Sequence, residues 1–171
     1  AAPAIHVVET LSEQTLKRRT VTVQLADGKK TGVAFDGWVD VTIHDGNERW
    51  QQTIGIEVDL ATMHRAEVQK KIEALISFAS GPYEQAFGVP GESLTIAFIA
   101  AAGGDKRLSD LLNWTRLVLQ RRGLMHEAPL FRFAAADLAI VEPEFYLAPI
   151  WYQPFVDRPM PLIELPGERG V

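Results

Sequence analysis

The sequence contains no cysteine. That absence excludes disulfide frameworks, thiolate zinc sites and cysteine nucleophiles together, and it suits a reducing interior. Histidine is scarce, with four in 171 residues, so there is little from which to build a histidine zinc site. No run approaches the roughly 18 apolar residues that a membrane-spanning helix needs. The opening AAPAIHVVET also lacks a charged region followed by an apolar core. A soluble, cytoplasmic protein without a membrane partner is therefore expected. The chain begins on Ala rather than Met, which leaves room for a preceding module. Positive charge is in deficit too: 17 Lys and Arg stand against 22 Asp and Glu, a formal charge of −5. This balance excludes a generally basic, DNA-coating protein but is compatible with a small acidic metal pocket. What the chain does have is 47% hydrophobic residues, enough to bury one ordinary core, so residues 1–171 are expected to form a single domain.

The periodicity divides the chain into elements. Over residues 4–18, Ile5, Val8, Leu11 and Leu16 recur at spacings of three to five with basic residues following, which predicts a helix. Residues 20–60 alternate β-branched and polar side chains around two turn signals, Asp27-Gly28 and Asp45-Gly46. That pattern predicts a three-strand antiparallel meander. From Met63 to Ala79 the period lengthens to that of a helix, with Val68, Ile72, Leu75, Ile76 and Ala79 on one face. SLTIAFIAAA is the continuous apolar run of a strand buried on both faces, and the crossover before it makes that strand parallel to an earlier one. A further helix over about residues 105–122 ends at the basic, Gly-capped Arg121-Arg122-Gly123, and PLFRFAAADL reads as a short strand and turn. The core thus spans about residues 4–135. The segment from about residue 141 to 171 holds most of the ten prolines together with Tyr146, Trp151, Tyr152 and Phe155. It is too aromatic for a free linker and is expected to lie along the domain as an irregular arm, with its last five residues mobile.

The stretch IGIEVDLATMHRAEVQKKI sets Glu57 and Asp59 inside an apolar run. Their spacing of two puts both on one face of a strand, while Ile54, Ile56 and Val58 take the other, expected to be the core face. Asp36 and Asp40 obey the same rule one strand earlier. In ordinary hairpin register Asp36 approaches Glu57, and carboxylates crowded in this way are costly unless a cation neutralises them or one stays protonated. Asp36, Glu57 and Asp59 are therefore candidate ligands of a hard cation, Mg²⁺ or Mn²⁺. On the following helix Lys71 lies at the flank of the buried face and Lys70 points to solvent, which makes Lys71 the candidate to steady charge on a phosphate. Arg65 is a second candidate, as a phosphate contact or a salt bridge to Asp59. His44 and His64 read as turn and cap residues, Trp114 as packing, and AAGGDK as a plain strand-to-helix turn, because its spacing is not that of a phosphate-binding loop.

The order helix, three-strand meander, helix, strand is that of the restriction-endonuclease-like core. Asp36 followed about twenty positions later by Glu57-Val58-Asp59 and a helix resembles the nuclease superfamily whose signature is Pro-Asp, then Asp or Glu, any residue and Lys. More specifically, SEQTL, FDGWVDV, IGIEVDLAT and SGPYEQAFGV resemble successive blocks of the replication-relaxation family, over roughly residues 8–155. The resemblance implies a nuclease-like domain that acts on DNA in plasmid replication or DNA relaxation, usually behind a winged-helix DNA-binding module. It carries over Asp36 as the Asp of Pro-Asp, Glu57 and Asp59 as its Glu-x-Asp, and Glu13 as an acidic residue of the first helix. Two positions depart from the wider pattern: Phe35 stands in place of Pro, and Asp59 in place of the catalytic Lys. Two rivals follow, a non-catalytic descendant of that fold serving as a DNA-associated or protein-interaction module, and an unrelated α/β protein whose carboxylates decorate its surface.

Overall fold

A computed structural model of the chain describes residues 3–165. The expected mobile end, residues 167–171, lies outside the described residues. The chain has a mixed α/β fold built on a five-stranded mixed sheet. Its elements are β1 (Ala4–Ser12), α1 (Glu13–Arg18), β2 (Val21–Gln24), β3 (Lys30–Val33), β4 (Gly37–Asp45), β5 (Glu48–Asp59), α2 (Arg65–Ala79), α3 (Pro82–Phe87), β6 (Leu94–Ala100), α4 (Gly104–Arg122) and β7 (Phe131–Ala135). The spatial order is β1-β4-β5-β6-β7; β1, β4 and β5 run antiparallel in turn, and β5, β6 and β7 are parallel.

Two expectations are corrected here. Most of the predicted first helix is the edge strand β1, and only Glu13–Arg18 is helical, capped by the Ser12 side chain. A β-bulge between Val7 and Glu9 explains the misreading. Before the bulge Ile5 and Val7 sit opposite Ile43 and Val41; after it Glu9 and Leu11 sit opposite Asp40 and Trp38, so the strand changes the face it buries. The extra residue turns a period of two into spacings that look helical. The predicted meander over residues 20–60 is in fact two hairpins. β2 and β3 form their own two-stranded sheet around Asp27-Gly28, and β4 and β5 join the main sheet around Asp45-Gly46. Alternation marks strands but does not say which strands pair.

Further along, the elements follow the pattern. The α2 helix buries Val68, Ile72, Leu75 and Phe78 against the sheet, and α4 ends on left-handed Gly123, whose N–H bonds the Gln120 carbonyl. Trp38, Phe35 and Phe78 knit this helix-covered face together, and Trp38 stacks on Phe87 at 4.1 Å. The opposite face of the sheet is covered as well. Val41, Ile43, Ile54, Ala97 and Ile99 form a second cluster with Trp151, Leu162 and Ile163 of the C-terminal arm. Trp151 is fully buried, and its indole N–H donates to the Phe145 carbonyl at 2.9 Å. Among the described residues no helix is long and apolar enough to cross a membrane.

Candidate active site

Because both faces of the sheet are covered, Glu57 and Asp59 do not lie on an exposed face. Both point to the helix side, 1% and 2% exposed, while Ile56 and Val58 on the arm side are only half-buried. The expected core face is thus the shallower one at this end of β5. Gly55 explains how a charged strand end fits under a helix. A side chain there would come within 2.6 Å of the Phe35 ring, which fills the space above it. Phe35, only 2% exposed, is a core residue, and its anchorage fixes the next residue, Asp36.

Asp36 extends the β4–β5 ladder. Its N–H donates to the Ile56 carbonyl at 3.0 Å, and its carboxylate accepts the Val58 N–H at 2.7 Å. That position sets it close enough to Glu57 to disfavour the Glu57 charge. From α2, Lys71 reaches over and ion-pairs with Glu57. Apart from that ammonium, neither Glu57 oxygen has a hydrogen-bond partner among the described residues. Burial therefore dominates and pushes the Glu57 carboxyl up to about 7; Lys71 pulls it down and Asp36 pushes it further up. Glu57, Lys70 and Lys71 line a cleft of about 380 Å³ whose far wall is Thr31, Gly32 and Val33 of the β2–β3 hairpin. Lys70 is exposed, as its place on the helical wheel indicates.

Asp59 has a different role. Arg107 of α4 grips it through two parallel hydrogen bonds, Nε to Oδ2 at 2.7 Å and Nη2 to Oδ1 at 2.8 Å. The Ala61 N–H adds a third bond, and Arg107 also donates to the Met63 carbonyl while lying over the Trp114 ring. Hydrogen bonding to Asp59 raises Arg107 above its ordinary value. Both Asp59 oxygens are thereby engaged by Arg107, and Arg65, expected as a phosphate contact or a salt bridge to Asp59, is exposed. Among the described residues no group of three or more His, Cys, Asp or Glu is placed to hold a metal ion, and of the three expected carboxylates Asp59 is the one engaged by an arginine. Glu13 stands at the start of α1, paired at 2.5 Å with Lys17 and half exposed. Lys17 is raised chiefly by its hydrogen bond to the Glu13 carboxylate, with a smaller contribution from Asp36.

Arg107 was not found from the sequence. It lies 48 positions from Asp59, in a segment read as a plain turn and helix. The nearest signal is the glycine pair before it: a side chain at Gly103 would meet the Arg107 Cβ at 2.8 Å. A larger polar cavity of about 580 Å³ opens at the other end of the sheet, between Gln52, Thr95, Glu92 and the half-buried ion pair of Arg132 with Glu164, away from Asp36, Glu57 and Lys71. Neither a family model, nor a curated protein, nor a solved structure matches the chain.

Proposed function

We propose that this chain is a nuclease-like domain of restriction-endonuclease-like architecture, acting on the phosphodiester backbone of DNA with a divalent cation. The observation that carries the reading is the buried Glu57 carboxylate, which lines a cleft with Lys71 of the following helix and has Asp36, at the entrance of the paired strand, close enough to act on its charge. The donor chemistry suits one hard cation such as Mg²⁺ or Mn²⁺ held by two carboxylates, Asp36 and Glu57, since among the described residues the Glu57 oxygens have only the Lys71 ammonium as partner. Such an ion supplies an activated water and neutralises charge on phosphate. Lys71, freed from Glu57, is within reach to donate to a non-bridging phosphate oxygen as charge builds there. Asp36 holds the strand end in register through Val58, and Asp59 with Arg107 fixes the loop that leads into α2.

One feature favours the non-catalytic alternative: the Lys71 ammonium already sits where a cation would neutralise Glu57. Two measurements separate the readings. With millimolar Mg²⁺ or Mn²⁺ the wild-type chain is expected to melt at a higher temperature and to nick supercoiled plasmid DNA. Glu57→Gln should lose both effects, and Lys71→Met should keep the thermal shift while cutting slower by about a hundredfold or more. If neither a shift nor cleavage appears in the folded wild-type protein, the domain is a DNA-associated module held together by the Glu57–Lys71 pair.

A further inference from the structure

The two edges of the main sheet are treated differently. At β7 the arm closes the edge, since Phe133 and Tyr152 exchange hydrogen bonds at 2.9 and 2.8 Å. At β1 no described residue pairs with the outer edge. The β1 strand is nine residues long, and only Ile5 and Leu11 are even partly buried. Val7 and Val8, at its centre, are 63% and 61% exposed. It carries no lysine, arginine or proline, the residues that natural sheets use to blunt an open edge.

The sequence of β1 is complementary to itself. If two copies pair antiparallel about a two-fold axis between residues 7 and 8, His6 of each faces Glu9 of the other, Ile5 faces Thr10, and Ala4 faces Leu11. The faces agree in every pair. His6, Glu9, Ala4 and Leu11 lie opposite Thr42, Asp40, His44 and Trp38 on the helix side, whereas Ile5 and Thr10 lie opposite Ile43 and Val39 on the arm side. The bulge that would spoil pairing with a regular strand leaves two residues between His6 and Glu9 in both copies, so the register holds on either side of the axis. The exposed Val7 and Val8 then cover one another at the centre. We propose that β1 is the self-association edge of this protein, joining two copies into a continuous ten-stranded sheet with reciprocal His6–Glu9 contacts.

A strand-to-strand contact is at the small end of interface sizes, so a dissociation constant on the order of micromolar is expected. Sedimentation velocity of the whole chain from low to high micromolar concentration should show a monomer passing to a dimer. Val8→Lys places like charges at the axis and should weaken association by about tenfold or more, with an unchanged circular dichroism spectrum because Val8 faces solvent. Glu9→Lys and His6→Glu should each weaken it, and the double variant should recover it, because the reversed charges again face one another. A wild-type chain that stays monomeric at high concentration, or a dimer indifferent to Val8→Lys, overturns the proposal. A dimer weakened by Val8→Lys but not recovered by the double variant overturns the register.

Discussion

Glu57 concentrates the physics of the site in one side chain. It is a carboxyl almost wholly withdrawn from water, with one ammonium beside it and a second carboxylate near it. Its folded-state pKa, about 7, lies above the ordinary value of 4.5, so the fold prefers the protonated form. A raised pKa of this kind contributes stability that is present in full below pH 4.5 and is lost as pH climbs through 7. At about 1.4 kcal/mol per unit, that loss is at most about 3–4 kcal/mol. Urea unfolding of the metal-free protein between pH 4.5 and 7.5 should show this contribution as a fall in stability with rising pH. Glu57→Gln, which stays neutral, should flatten that part of the curve; an unchanged curve would mean that Lys71 keeps Glu57 ionised throughout. The neighbouring Gly55 is constrained by shape instead. Gly55→Ala drives a methyl group into the Phe35 ring, and a loss of roughly 1–3 kcal/mol is expected in the same unfolding assay.

At the scale of elements, what could be read in the sequence depended on whether a signal was local. The α2 and α4 helices and β6 declare themselves through period and length, because the pattern of a packed helix or a doubly covered strand is written within one segment. Lys71 belongs with them: its place beside Glu57 follows from angular position on a helix that must lie across the strand before it. The β1 strand was hidden by one bulged residue, and the separation of the β2–β3 hairpin from the main sheet was hidden because alternation is silent about partners. The Asp59–Arg107 lock could not be read at all, since it joins β5 to α4 across 48 positions through side chains with no common motif. The lock makes its own prediction. Arg107→Ala leaves the Asp59 charge buried without its cation and with the Ala61 N–H still donating to it, which should cost about 3–5 kcal/mol, whereas Asp59→Asn with Arg107→Met removes both charges and should cost markedly less. A double-mutant cycle by urea unfolding gives the coupling, and additive losses would show that the pair contributes no more than its separate packing.

At the scale of the whole molecule the chain is three layers: helices α2 and α4, the five-stranded sheet, and the C-terminal arm. Composition marked the arm as something other than a linker, but not as a load of core. Its Trp151, Leu162 and Ile163 close the face made by Val41, Ile43, Ile54 and Ile99, and its Tyr152 closes the β7 edge. The acidic end of β5 is buried by the helix layer, where Lys71 of α2 meets Glu57 and Arg107 of α4 meets Asp59. If the arm is a layer, removing it must expose the aliphatic face and free the β7 edge together. Ending the chain after Ala136 should therefore give a protein that binds a hydrophobic dye, loses its cooperative thermal transition and aggregates through the uncovered edge. Trp151→Ala, which leaves the arm in place, should keep a cooperative transition but lose about 3–5 kcal/mol. A truncated chain that does not aggregate and melts cooperatively would show instead that the helices and sheet suffice, and that the arm is an addition to a two-layer core.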